Sequence, residues 1–479
     1  MARLFFVCLG LLLSGCTVGP DYQAPKPKLP NAWLEAKTAA NPSELTRWWQ
    51  GFNDARLNKW VTQALQGNLD LKAAQMRLKA ARAQRELSHA QSWPSINAST
   101  AYQRQRISPN ALLGALGSIQ DGQSSSGDLL SSLGSIGTPF DLFQAGFDSS
   151  WELDLFGGIK RQQQVADANA DAIVENQHAI QVTLTAEVVT TYLQLTALQA
   201  RLNIVNERLQ NQQELYRFSK ASFEQGLATA LDVQQTQAEL DAIASTLPTL
   251  NSEIKNTRYA LTLLLGLTPG SLDQELTTIP GTVPTPPMIQ PGLPSELLRR
   301  RPDIRQAERS LAAASASIGA AVAELFPKLS LTGVAGFQSQ DLSNFTNLSS
   351  GFYGFGPRLS LPIFQAGRLL ANIDTQNARY EEALVTYNKT VLTALTEVEN
   401  SLASLQGKHS QQLLLAQTEH STRQAAETAK AYYQEGETDW QNVLRSRSAW
   451  YDTREQRLQS QLAWTTQHVA LVKALGGGW

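Results

Sequence analysis

The chain has 479 residues, a formal net charge of -2 and a charged fraction of 17%. That length leaves room for several domains, and that charge gives a nucleic acid no electrostatic reason to bind. After residue 15 no apolar run reaches the roughly 18 residues of a membrane-crossing helix, which excludes such a helix from the rest of the chain.

Residues 1–15, MARLFFVCLGLLLSG, put a positive charge at Arg3 before an apolar run from Leu4 to Leu13, the pattern of a secretory signal peptide. The stretch Leu13-Ser14-Gly15-Cys16 resembles the bacterial lipobox, which implies that Cys16 becomes the first mature residue and carries lipid. Thr17, rather than Asp, follows and favours the outer membrane. Cys8 and Cys16 are the only cysteines, so acylation leaves no thiol for a disulfide, a metal or a nucleophile. Residues 16–50, with Pro20, Pro25, Pro27 and Pro30, read as a lipidated tether.

A first repeat is expected over residues 51–283. It contains a helix from Asn68 to Ser92 that stops at Trp93-Pro94, a strand over 95–106, a Gly/Ser-rich loop over 107–139, a strand over 143–156 and a helix from 158 to 225. Residues 284–294, PTPPMIQPGLP, read as a linker, and residues 295–479 as a second repeat in the same order. Its helix over 295–325 stops at Phe326-Pro327, and strands over 328–340 and 351–364 lead into a helix over 366–435. A shift of 210 places Glu187-Val188 on Glu397-Val398, Gly226 on Gly436 and Leu265-Gly266 on Leu475-Gly476, the signature of a duplicated unit. Leu195, Leu198, Leu202, Val205 and Leu209, and Leu240, Ile243, Leu247, Leu250 and Ile254, step by three and four, as in paired long helices, and Pro248 should kink the second run. Gly226 and Gly436 mark helix ends where the chain turns back.

In FDSSWELDLF, residues 147–156, the odd positions are mostly apolar, whereas Asp148, Glu152 and Asp154 share the even face. A soluble half-buried strand would show the same alternation. Four such strands, of a length that crosses a bilayer at a tilt, fit a barrel whose apolar face meets lipid and whose acidic face lines water. Trp151, Phe337, Phe352 and Tyr353 are expected in an aromatic girdle. Since the smallest outer-membrane barrels have about eight strands, a four-stranded chain must oligomerise, and two, three or four copies all satisfy the count.

The stretch LPSELLRRRPDIRQAERSLAAASASIGAAVAELFPKLSLTG, residues 293–333, closely resembles the second-repeat entry of the TolC-like outer membrane factors. SWELDLFGG and LSLPIFQAGR match that family's strand-to-helix junctions, and the lipobox with GPDYQAP resembles its lipoprotein branch, the NodT-like and OprM-like channels. The resemblance spans essentially the whole mature chain. It implies an α+β membrane protein: a homotrimer with a twelve-stranded outer-membrane β-barrel, four strands per chain, continued by a long periplasmic α-helical barrel. Partners would be a periplasmic adaptor and an inner-membrane pump of the resistance-nodulation-division type, in an outer membrane to which the chain is lipid-anchored. The two helical turns, residues 225–233 and 435–443, would form a periplasmic tip that gates the tunnel. At that tip Asp232 keeps an acidic residue of the family and Tyr433 an aromatic one, while Thr438 replaces its arginine, and Asn442 and Arg445 replace its two aspartates. Three copies of Arg445 would make a basic ring, with Asp232 and Tyr433 as link partners.

The implied function is a passive exit duct for drugs or other small toxic compounds. A type I protein-secretion duct and a non-conducting envelope lipoprotein are the alternatives. No catalytic constellation, metal-ligand spacing among the histidines, or cofactor motif is present. Arg299, Arg300 and Arg301 read as a structural cap beside Pro302 or a surface group, rather than an anion or nucleic-acid site. Met76 and Met288 alone follow the signal segment, too few for a methionine relay for copper.

Overall fold

A computed structural model describes residues 17–35, 45–106, 139–277 and 281–479. The signal segment, Cys16 and residues 107–138 of the expected Gly/Ser-rich loop lie outside the described residues. Helices α1 (Ala55–Gly67) and α2 (Leu69–Ala90) precede strands β1 (Ser95–Gln105) and β2 (Phe140–Leu153). Helices α3 (Gly158–Glu224) and α4 (Ala230–Leu264) follow. The second half repeats the plan with α5 (Pro302–Ala323), β3 (Lys328–Ser339), β4 (Gly351–Ser360), α6 (Arg368–Gln434) and α7 (Trp440–Ala474). The long helices match in length, 67 residues each for α3 and α6 and 35 each for α4 and α7. At about 1.5 Å per residue, each of the longer pair extends roughly 100 Å. Among the described residues no helix is long and apolar enough to cross a membrane.

The chain divides into two compact units. One contains described residues 17–22, 83–106, 139–167 and 312–380, with the sheet. Its strands run antiparallel in the order β1-β2-β3-β4, so β1 and β4 each keep an open edge. The other contains described residues 23–35, 45–82, 168–277, 281–311 and 381–479, and its regular elements are helical. Its core gathers Leu57, Trp60 and Val61 of α1, Tyr192, Leu193 and Leu195 of α3, Leu261 of α4, and Leu471 of α7. In α1 the buried residues Leu57, Trp60, Val61 and Ala64 fall at helical spacing, so one stripe faces this core. Asp54 caps α1 by accepting from the backbone N–H groups of Arg56 and Leu57 at 2.8 and 3.2 Å. Its other oxygen accepts from the Tyr192 hydroxyl, whose ring packs edge-on against Trp60.

Three expectations need correction. Residues 295–325 are not one helix: a turn over 294–300 precedes α5, because Pro302 holds Arg301 extended at ψ 118° and serves as the first helical residue. β2 runs over 140–153 rather than 143–156, since the chain turns into α3 through Gly157 at φ +76°. β4 ends at Ser360 rather than near 364, where Pro362 brings no N–H to a ladder. At Pro248, α4 continues without a break.

Candidate functional site

The two helical turns share one construction. α3 ends in a left-handed Gly226 (φ +72°), and the N–H groups of Gly226 and Leu227 donate to the carbonyls of Phe223 and Ser222. α6 ends the same way at Gly436 (φ +80°), with Glu437 donating to Tyr432 at 2.8 Å. Added Cβ atoms at either glycine would meet nothing within 4 Å, so backbone conformation, not crowding, demands glycine. α4 then starts on a capping box: Thr229 accepts from the Asp232 N–H at 3.2 Å, and the Asp232 carboxylate accepts from the Thr229 N–H at 2.8 Å. α7 starts on Asp439, whose carboxylate accepts from the Asn442 N–H at 2.8 Å.

Asp232 and Asn442 therefore hold the same place in their helices. Hydrogen bonds from the Thr229 N–H and hydroxyl, with a smaller one from Gln441, hold the Asp232 carboxyl below the ordinary carboxylate range. The Asn442 amide donates to the Thr438 hydroxyl at 3.0 Å. Arg445 is exposed and forms no ion pair with a described residue of its own chain, Asp232 included. Within the chain Tyr433 makes no hydrogen bond to Asp232. It packs between Phe218 and Trp440, with ring centroids 5.9 and 5.0 Å away, and burial raises its phenol pKa.

Sequence reading missed a ladder between α3 and α7. Arg208 pairs with Asp452 at 2.8 Å and donates to Ser448 at 3.0 Å. Glu207 pairs with Arg454, and Asn211 bridges the Tyr451 hydroxyl and Arg447. Residues 447, 451 and 454 do step by helical spacing, which signals a stripe but not its partner.

Strand register defines two faces of the sheet. Phe147 lies opposite Ala98 and Ala335, which lies opposite Tyr353. This face carries Ile96, Trp151, Leu331 and Phe355 as well, and Phe147, Tyr353 and Phe355 are 62%, 82% and 86% exposed. Asp148 and Glu152 lie on the other face with Asn97, Ser330 and Thr332, and Asn97 donates to Asp148 at 3.0 Å. Arg358 shares that face, opposite Ser330, which is opposite Glu152. Two expectations change. Asp154 lies past the end of β2 and accepts from the Lys160 N–H at 2.7 Å, capping the start of α3. Phe352 is opposite Gly336 on the polar face, away from Tyr353.

The family profile described as outer membrane efflux protein matches residues 60–267 and 293–477. The chain belongs to the outer membrane efflux protein family. The cation efflux system protein CusC of Escherichia coli is 31% identical over 483 residues, covering 100% of this chain and 99% of that protein. The toluene efflux pump outer membrane protein TtgF of Pseudomonas putida is 31% identical over 498 residues, covering 99% and 96%. The solved outer-membrane channel OprN superposes with a TM-score of 0.84 at 33% identity, covering 97% of this chain and 100% of that one. The chain is thus an outer membrane efflux protein. Its fold class is the expected one, an α+β membrane protein of two repeats with four strands per chain.

Proposed function

We propose that this efflux protein is the passive exit duct of a tripartite system, carrying small toxic compounds from an inner-membrane pump and a periplasmic adaptor to the outside. The observation that carries this reading is the sheet: one exposed apolar face, one polar face and two open edges. Open backbone edges do not persist in hydrocarbon, so β4 of one copy must pair with β1 of the next. A homotrimer gives twelve strands, within the range of outer-membrane barrels of about 8 to 26. The first repeat (51–283), the linker (284–294) and the second repeat (295–479) would each contribute to the wall, and the turns at Gly226 and Gly436 would form the periplasmic tip. The tether would begin at a lipidated Cys16. Neither CusC nor TtgF decides the cargo, because their names specify a cation and toluene at the same identity.

The deciding experiment reconstitutes purified protein in planar bilayers and measures its subunit number on native gels. Trimers with ion conductance, once the tip is loosened, support the duct. Monomers that bind vesicles without conducting would return the envelope-scaffold reading. A protein-secretion duct predicts instead that a deletion strain loses a secreted polypeptide and keeps its resistance to drugs and solvents.

A further inference from the structure

Residues 17–21 occupy a socket beside the junction of β2 and α3. Arg161, in the first turn of α3, has a side chain only 3% exposed. Its Nε donates to the Val18 carbonyl at 3.1 Å, and Nη2 donates to the Gly19 carbonyl at 3.2 Å and the Asp21 carboxylate at 2.9 Å. The remaining nitrogen, Nη1, donates to Gln164 at 3.0 Å. The Val18 N–H donates in turn to the Phe156 carbonyl at 3.1 Å.

Three glycines leave the space this needs. A Cβ on Gly157 would lie 2.4 Å from the Thr17 methyl, and one on Gly319 would lie 2.7 Å from Arg161 Nε. One on Gly19, itself at φ +85°, would lie 2.4 Å from the Gly319 Cα. Asp21 is 88% exposed, so the part-buried hydrogen bonds to the Val18 and Gly19 carbonyls and to Gln164 are the better-shielded ones this guanidinium makes. A buried cation stripped of such partners is costly, which makes the segment and the socket mutually dependent.

We propose that this socket docks the segment following the lipid-attachment residue, and that Arg161 is the positioning residue that ties the acyl anchor to the strand–helix junction. The assignment of lipid to Cys16 rests on the proposed lipoprotein reading. Cys16 is one Cα step, about 3.8 Å, from Thr17. On that reading the lipid-bearing residue directly precedes the docked segment, and residues 18, 19 and 21 of the expected tether are held by Arg161 and the Phe156 carbonyl.

Hydrogen exchange on purified full-length protein, followed by mass spectrometry of the peptide covering residues 17–22, tests this. The segment should be protected in the wild type. In Arg161→Gln its exchange should be at least about tenfold faster, with α3 beyond its first turn unchanged. Arg161→Lys should fall between, because an ammonium cannot fork between two carbonyls and a carboxylate. If Arg161→Gln does not accumulate, Gly319→Ala should also loosen the segment, by driving a methyl against Arg161. A Cys16→Ser chain secreted through a cleavable signal should keep the protection. Missing protection in the wild type, an unchanged rate in Arg161→Gln, or protection lost on Cys16→Ser alone would each overturn the socket. An unacylated wild-type N-terminal peptide that is still protected would overturn the lipoprotein reading and leave the socket standing.

Discussion

Asp232 illustrates how a residue singled out for a gate can be occupied by a local task. Within its own chain it completes a capping box with Thr229 and takes a further hydrogen bond from Gln441. Because its folded pKa is lowered, its contribution is present above the ordinary carboxylate pKa and is lost as pH falls through the lowered value. Amide protection in the first turn of α4 should therefore persist at pH 5 and fail only below about pH 4. Open-state conductance should change additively in Asp232→Ala, Arg445→Ala and the double mutant, and coupling between them would instead reveal a link between neighbouring copies. Tyr192 is the buried counterpart. Burial, then the hydrogen bond to Asp54, raises its pKa and keeps the phenol neutral. Tyr192→Phe should cost about 1–3 kcal/mol, read from the denaturant midpoint, because a hydrogen bond to a charged cap is lost inside the core.

At the scale of elements, helix pairs are joined by many small terms. Each charged pair of the α3–α7 ladder is partly exposed and worth about 0–1 kcal/mol, so the ladder aligns the helices more than it locks them. Tyr451, buried against Asn211, gives that alignment a fixed register. His468 of α7 is a more sensitive point. Burial lowers its pKa, and neighbouring His409 adds to the effect, while its bond to the Trp464 carbonyl opposes it. A depressed pKa means that stability is full above the unfolded value of about 6.5 and falls as pH drops through the folded one. Melting temperature should therefore decline between pH 7 and pH 5, and His468→Gln should flatten that decline.

For the whole molecule, the sheet's polar face sets the expected permeation. Three copies would place Asp148 and Glu152 around the lumen, and carboxylates in a narrow wet pore favour cations. Arg358 on the same face opposes them. Reversal potentials in a salt gradient should show a cation preference that weakens in Asp148→Asn/Glu152→Gln and strengthens in Arg358→Gln. Asp154→Asn should leave selectivity unchanged and loosen the first turn of α3, as its carboxylate is engaged by the Lys160 N–H beyond the end of β2.

Local patterns carried the duplication, the two helical turns with Gly226 and Gly436, and all four strands to within a few residues. Each of these follows from backbone geometry repeating every two or 3.6 residues, which a linear sequence displays directly. The same alternation assigned Asp148 and Glu152 to one face, but it could not show that the strand stops before Asp154. That boundary depends on where α3 must start. Tertiary structure alone decided the partners of the buried polar groups. Arg161 meets Val18 and Asp21 across 143 and 140 residues, and Arg301 meets Glu397 and Ala474 across 96 and 173. Charge spacing within one helix shows that a stripe exists. Which carbonyl or carboxylate meets a buried guanidinium is decided only when distant segments pack and exclude the water that would otherwise solvate it.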